Sequence, residues 1–111
     1  MDRGSELRAV PAAEVPAQAY LVDVREDDEW LAGHAPGAQH IPLGVLSERC
    51  SQIPQDRDVY VICRSGGRSA RAVQALDAGG WQVLNVADGM LGWESAGRTM
   101  ASESGAVPFV A

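Results

Sequence analysis

With two cysteines in 111 residues, the chain cannot be one of the small domains stapled together by several disulfides. It also lacks any apolar run near the ~20 residues that an α-helix needs to cross a bilayer. Met1 to Val10 carries charges where a signal peptide has its apolar centre. A soluble, cytoplasmic protein is therefore expected. Positive charge is scarce: nine basic residues stand against fifteen acidic ones, for a net charge of −6 and a pI near 4.7. That sign disfavours nucleic acid and anionic membranes as partners. His34 and His40 form no ligand spacing with each other or with Cys63, so neither a metal nor another cofactor is expected. There is no internal repeat, low-complexity tract or second domain.

What is there suits one α/β domain. An apolar content of 46% can fill a single three-layer core at this length. The patterning predicts a mostly parallel five-stranded sheet with helices on both faces, spanning residues 7–101, with 1–6 and 102–111 as flexible tails. Strands are expected at Leu7 to Val10, Tyr20 to Val24, Ala38 to Ile41, Val59 to Cys63 and Val83 to Val86. Helical segments are expected after Pro11, from the acidic Asp27-Asp28-Glu29 turn to Ala32, over Leu43 to Ile53, over Arg68 to Ala78, and around Trp93. Trp81 and Trp93 read as packing residues. Cys50 reads as a half-buried helical cysteine and not as a resolving thiol.

The chemistry concentrates in Val59-Tyr60-Val61-Ile62-Cys63-Arg64-Ser65-Gly66-Gly67-Arg68-Ser69. A β-branched and aromatic run stops at a cysteine, and two glycines follow before a helix opens. The thiol should sit at the carboxyl end of a parallel strand, against a helix amino terminus whose free N–H groups favour an anion. A free cysteine titrates near ~8.5. The helix dipole contributes roughly 0.3 to 2 kcal/mol, against about 1.4 kcal/mol per pKa unit. The dipole alone is therefore too weak, and loop N–H groups with the charges of Arg64 and Arg68 must supply the rest. A core cysteine would need none of these, whereas a pocket for an anionic or sulfur-rich substrate would. Arg71 reads as a solvated helix residue.

The loop Cys63-Arg64-Ser65-Gly66-Gly67-Arg68-Ser69 resembles the active-site loop of the rhodanese-like sulfurtransferases. Leu21-Val22-Asp23-Val24-Arg25, then Glu29, Gly33-His34-Ala35-Pro36-Gly37-Ala38 and Ile41-Pro42, resemble their amino-terminal signature. The resemblance runs from about Leu7 to about Gly97. It implies a single-domain rhodanese topology and a persulfide enzyme. Cys63 would take a sulfane sulfur from a small anionic donor such as thiosulfate and pass it to cyanide or a thiol; either partner could also be a protein persulfide. It further implies that Arg64, Ser65, Gly66, Gly67, Arg68 and Ser69 bind the substrate, with Arg68 attracting the donor. Asp23, Arg25, Glu29 and His34 would be structural. Ala35 replaces a larger aliphatic residue usual in the family, and Asp88 stands where a glycine is common. A carboxylate there would repel thiosulfate if it faced the pocket mouth.

Two other readings compete. Phosphatase and arsenate-reductase loops of related fold place their arginine where Ser69 stands here, whereas Arg68 comes one residue earlier. The shorter loop suits a sulfur atom better than a phosphoryl group. A non-catalytic docking module is the third reading, and the cysteine with both arginines speaks against it.

Overall fold

The computed structural model describes residues 7–111; the expectation for residues 1–6 lies outside the described residues. Five strands form one all-parallel sheet: β1 (Arg8–Val10), β2 (Tyr20–Asp23), β3 (Gln39–His40), β4 (Asp58–Ile62) and β5 (Gln82–Val86), in the order β1-β5-β4-β2-β3. The central pair, β2 and β4, is in register from Tyr20 beside Val59 to Asp23 beside Ile62. Three α-helices connect strands, α1 (Asp27–Ala32), α2 (Leu46–Arg49) and α3 (Gly67–Ala78), and a fourth, α4 (Gly89–Ser95), follows β5.

Side chains alternate across the central strands because the strand period is two. Val22, Val24, Val59, Val61 and Cys63 face one core with Ala72, Val73 and Leu76 of α3. Leu21 and Ile62 face the other, with Val86, Met90 and Trp93. Both faces of the sheet are thus covered, as a parallel sheet requires.

From β2 the chain runs to β3 on one side; from β4 it runs to β5 on the other. The strand order therefore reverses between β2 and β4, and their carboxyl ends open a crevice where α/β folds bind ligands. Cys63 leaves β4 at that point.

The predicted helix over Leu43 to Ile53 is broken into a 3-10 turn (Leu43–Val45), α2 and a second 3-10 turn (Cys50–Gln52). Leu43 and Leu46, like Cys50 and Ile53, are three apart and pack on the same core. A three-residue period superimposes such side chains, which favours 3-10 winding over an unbroken α-helix. The helix after Pro11 is likewise a single 3-10 turn, Ala12–Glu14.

Residues 102–111, read as a tail, make contacts with the body. Glu103 meets His34 at 2.7 Å, the Phe109 amide donates to the Ala32 carbonyl at 3.0 Å, and Val110 packs on the second core.

Candidate active site

Cys63 lies directly beyond β4, 1% exposed, inside the turn into α3. Its Sγ accepts the Gly66 amide at 3.1 Å and the Ser69 amide at 3.3 Å, and lies 3.3 Å from the Ser69 hydroxyl. Burial works against the thiolate. The Ser69 hydroxyl and the amides of Ser69, Gly66 and Ser65 outweigh that burial together and hold the thiol below its usual range.

The loop presents its amides to the sulfur because its carbonyls are engaged elsewhere. Met90 donates to the Cys63 carbonyl at 2.8 Å and Leu91 to the Arg64 carbonyl at 3.1 Å, both from the start of α4. Gly66 completes the turn at φ 105°, in the left-handed region that favours glycine, and a Cβ there would overlap the Ala87 carbonyl. Gly89, at φ 58°, lets α4 approach: a Cβ on it would lie 2.5 Å from the carbonyl oxygens of both Cys63 and Arg64.

Asn85 belongs to this arrangement, although nothing in the loop motif points to it. Its Oδ1 accepts the Ser69 hydroxyl at 2.5 Å and its Nδ2 donates to the Gly66 carbonyl at 3.3 Å. The signal available in the sequence was a polar residue inside the apolar strand Val83-Leu84-Asn85-Val86.

The two guanidiniums of the loop are both engaged. Arg68 sets its terminal nitrogens on the two carboxylate oxygens of Glu29, at 2.7 and 2.8 Å. Glu29 also accepts the Glu26 amide at 3.0 Å, which caps α1. The Arg68 fork, opposed by burial and aided by that amide, lowers the Glu29 pKa to about 2. Arg68 is correspondingly held protonated, by Glu29 first and also by the nearby charges of Cys63 and Glu26. Arg64 is exposed and donates its Nε to Ala111 O at 2.9 Å. Arg71 is exposed, as expected.

Asp23 and Arg25 form a fully buried pair, with Arg25 Nη2 on Asp23 Oδ2 and on the Gly33 carbonyl, each at 2.8 Å. This fastens the end of β2 to the end of α1. His34 stacks on Trp30 at 3.6 Å between centroids, and its main chain pairs with Ala101. His40 also stacks on Trp30, at 4.7 Å, and its Nε2 meets the Arg25 carbonyl at 2.8 Å. Among the described residues, no group of three His, Cys, Asp or Glu side chains is placed to hold a metal, and no helix is long and apolar enough to cross a membrane.

Asp88 does not adopt the left-handed conformation: its φ is −103°, and Gly89 takes the positive angle instead. Its Oδ1 accepts the Ala12 amide at 2.7 Å, tying the 3-10 turn to α4. It also lines an open groove with Ser65, Ala13, Leu91 and Gly92. Trp81 and Trp93 pack as expected, their indole N–H groups bonded to the Ile53 and Thr99 carbonyls. Cys50 is half-buried, its thiol 3.5 Å from the Ser47 carbonyl.

Residues 6–96 match the family model described as Rhodanese-like domain. The Bacillus subtilis (strain 168) protein YtwF, named as a sulfurtransferase, is 41% identical over 81 residues, which cover 73% of this chain and 79% of that one. A protein named sulfurtransferase from Allochromatium vinosum is 38% identical over 86 residues, 77% of this chain and 80% of the other. Among solved structures, a rhodanese-related protein from Thermoplasma volcanium superposes with a TM-score of 0.82 at 30% identity. That match covers 86% of this chain and 99% of the other.

Proposed function

Because the chain belongs to the rhodanese-like domain family, we propose that it is a sulfurtransferase that works through a persulfide on Cys63. The observation that carries the reading is the set of groups around Sγ: two amide donors at 3.1 and 3.3 Å, with the Ser69 hydroxyl, which shares its one proton with Asn85 Oδ1, at 3.3 Å. They favour the thiolate, which is the nucleophilic form.

The thiolate attacks the outer sulfur of a sulfane-sulfur donor such as thiosulfate. The S–S bond of the donor breaks, and sulfite leaves with its electron pair. Cys63 then carries one extra sulfur, whose charge the Gly66 and Ser69 amides beside Sγ help to stabilise. Cyanide, a small thiol or a protein thiol attacks that outer sulfur in turn, and the Cys63 thiolate is released. The donor could equally be a protein persulfide. No cofactor enters either half-reaction, and we place the reaction in the cytoplasm.

The engagement of Arg68 by Glu29 also bears on the phosphatase reading. A guanidinium committed to a carboxylate is not free to wrap a tetrahedral oxyanion.

Incubation with thiosulfate followed by intact mass measurement tests the proposal. The protein should gain one sulfur atom, cyanide should remove it, and Cys63→Ser should gain none. An adduct that survives Cys63→Ser would overturn the assignment.

A further inference from the structure

The charges around the loop restrict the donor. Resting on the sulfur-transfer reading above, we propose that Glu29, acting through Arg68, sets the charge class of the sulfur donor. The site then favours monoanionic or neutral sulfane-sulfur compounds, of which the persulfide of a thiol is the type, over dianionic thiosulfate.

The geometry supplies three reasons. Arg68 is the loop cation that feels the Cys63 charge, yet both its terminal nitrogens lie on the Glu29 carboxylate. Glu29 is only 15% exposed and is fixed by a third hydrogen bond, from the Glu26 amide, so it does not swing away freely. Arg64 adds little, because its guanidinium is exposed and turned onto Ala111 O.

With Cys63 ionised, one guanidinium therefore faces a thiolate and a carboxylate, and the local sum is one negative charge. Glu26, the exposed N-cap of α1, also acts on Arg68, and Asp27 and Asp28, exposed on the first turn of the same helix as Glu29, have the same sign. A dianion meets repulsion twice that of a monoanion from this arrangement, since the Coulomb energy scales with the charge on the donor. The pKa of Glu29, about 2, keeps its charge in place through the whole working pH range.

A persulfide donor balances without any further reagent. The Cys63 thiolate attacks the outer sulfur of R–S–SH, the S–S bond breaks, the R–S⁻ thiolate leaves with the bonding pair, and Cys63 keeps the S–SH group. Glu29 does not touch the reacting sulfur in this scheme; it is a positioning residue that acts through Arg68.

The test compares two donors of similar shape that hand over the same terminal sulfur: thiosulfate, a dianion, and methanethiosulfonate, a monoanion. The kcat/KM of each is measured for the wild type and for Glu29→Gln, which keeps the side-chain length and removes the charge. Glu29→Gln should raise kcat/KM by about tenfold for thiosulfate and by about threefold for methanethiosulfonate, a gain that doubles on the logarithmic scale with donor charge. A merely structural role for Glu29 would change both donors by one common factor, and that result overturns the inference. So does a fall in the thiosulfate-to-thiosulfonate ratio.

Should Glu29→Gln fail to fold, the wild type decides by its salt dependence. Raising ionic strength screens repulsion, so kcat/KM for thiosulfate should rise more steeply than for methanethiosulfonate; a fall for thiosulfate refutes the proposal. Failure of the underlying reading looks different: neither donor would leave a sulfur atom on wild-type Cys63 by intact mass.

Discussion

At the scale of single residues, the state of Cys63 depends most on Ser69, which offers its sulfur both an amide and a hydroxyl. Burial of the sulfur opposes ionisation, so losing the hydroxyl should return the thiol towards its ordinary, higher titration range. For Ser69→Ala, the pH profile of alkylation by iodoacetamide should move to higher pH. The rate at neutral pH should fall roughly ten- to a hundredfold, the scale of one hydrogen bond to a charged group. An unshifted profile would mean that the amides of Gly66 and Ser69 suffice. Cys63 and its loop were legible because their residue types and spacing are local. Asn85 was not, since it lies 16 residues beyond Ser69 along the chain and meets it only through strand pairing. Arg68 shows the same limit. Its place in the loop could be read, but its pairing with Glu29 spans 39 residues.

Among the elements, the junction of β4, α3 and α4 decides whether the amides point at the sulfur. The first turn of α4 draws the Cys63 and Arg64 carbonyls away, and Gly89 makes that approach possible. A methyl group at Gly89 would meet two carbonyl oxygens at 2.5 Å and would also hold φ at an unfavourable 58°. Gly89→Ala should therefore lower kcat by about a hundredfold, the cost of misplacing one oxyanion-type donor. Activity within a factor of two of wild type would show that α4 does not set the loop. Periodicity located the long helix well, predicted from Arg68 and observed from Gly67 to Ala78. It misread Leu43 to Ile53, where burial of residues three apart outweighed the tendency to continue one α-helix.

Over the whole molecule, the segment 102–111 joins parts that are distant along the chain. Its Phe109 backbone fits against Gly33, where a Cβ would lie 2.7 Å from the Phe109 carbonyl oxygen, 2.8 Å from its nitrogen and 2.9 Å from Met100 Cε. Gly33 is extended, so the constraint is space and not backbone conformation. Gly33→Ala should displace the segment, speed hydrogen exchange at the Phe109 amide and cost about 1 to 2 kcal/mol of stability by overpacking. Unchanged exchange at that amide would show that the segment is held elsewhere. The sequence by itself determined the parallel α/β sheet, the place of Cys63 at a strand end and its amide-rich turn, because alternation, glycine placement and helix starts act over a few neighbouring residues. Only the tertiary structure decided which polar groups meet there: Glu29 on Arg68, Ala111 O on Arg64 and Asn85 on Ser69. Electrostatic pairing depends on distance in space, and the crevice between β2 and β4 brings together groups that the chain keeps far apart.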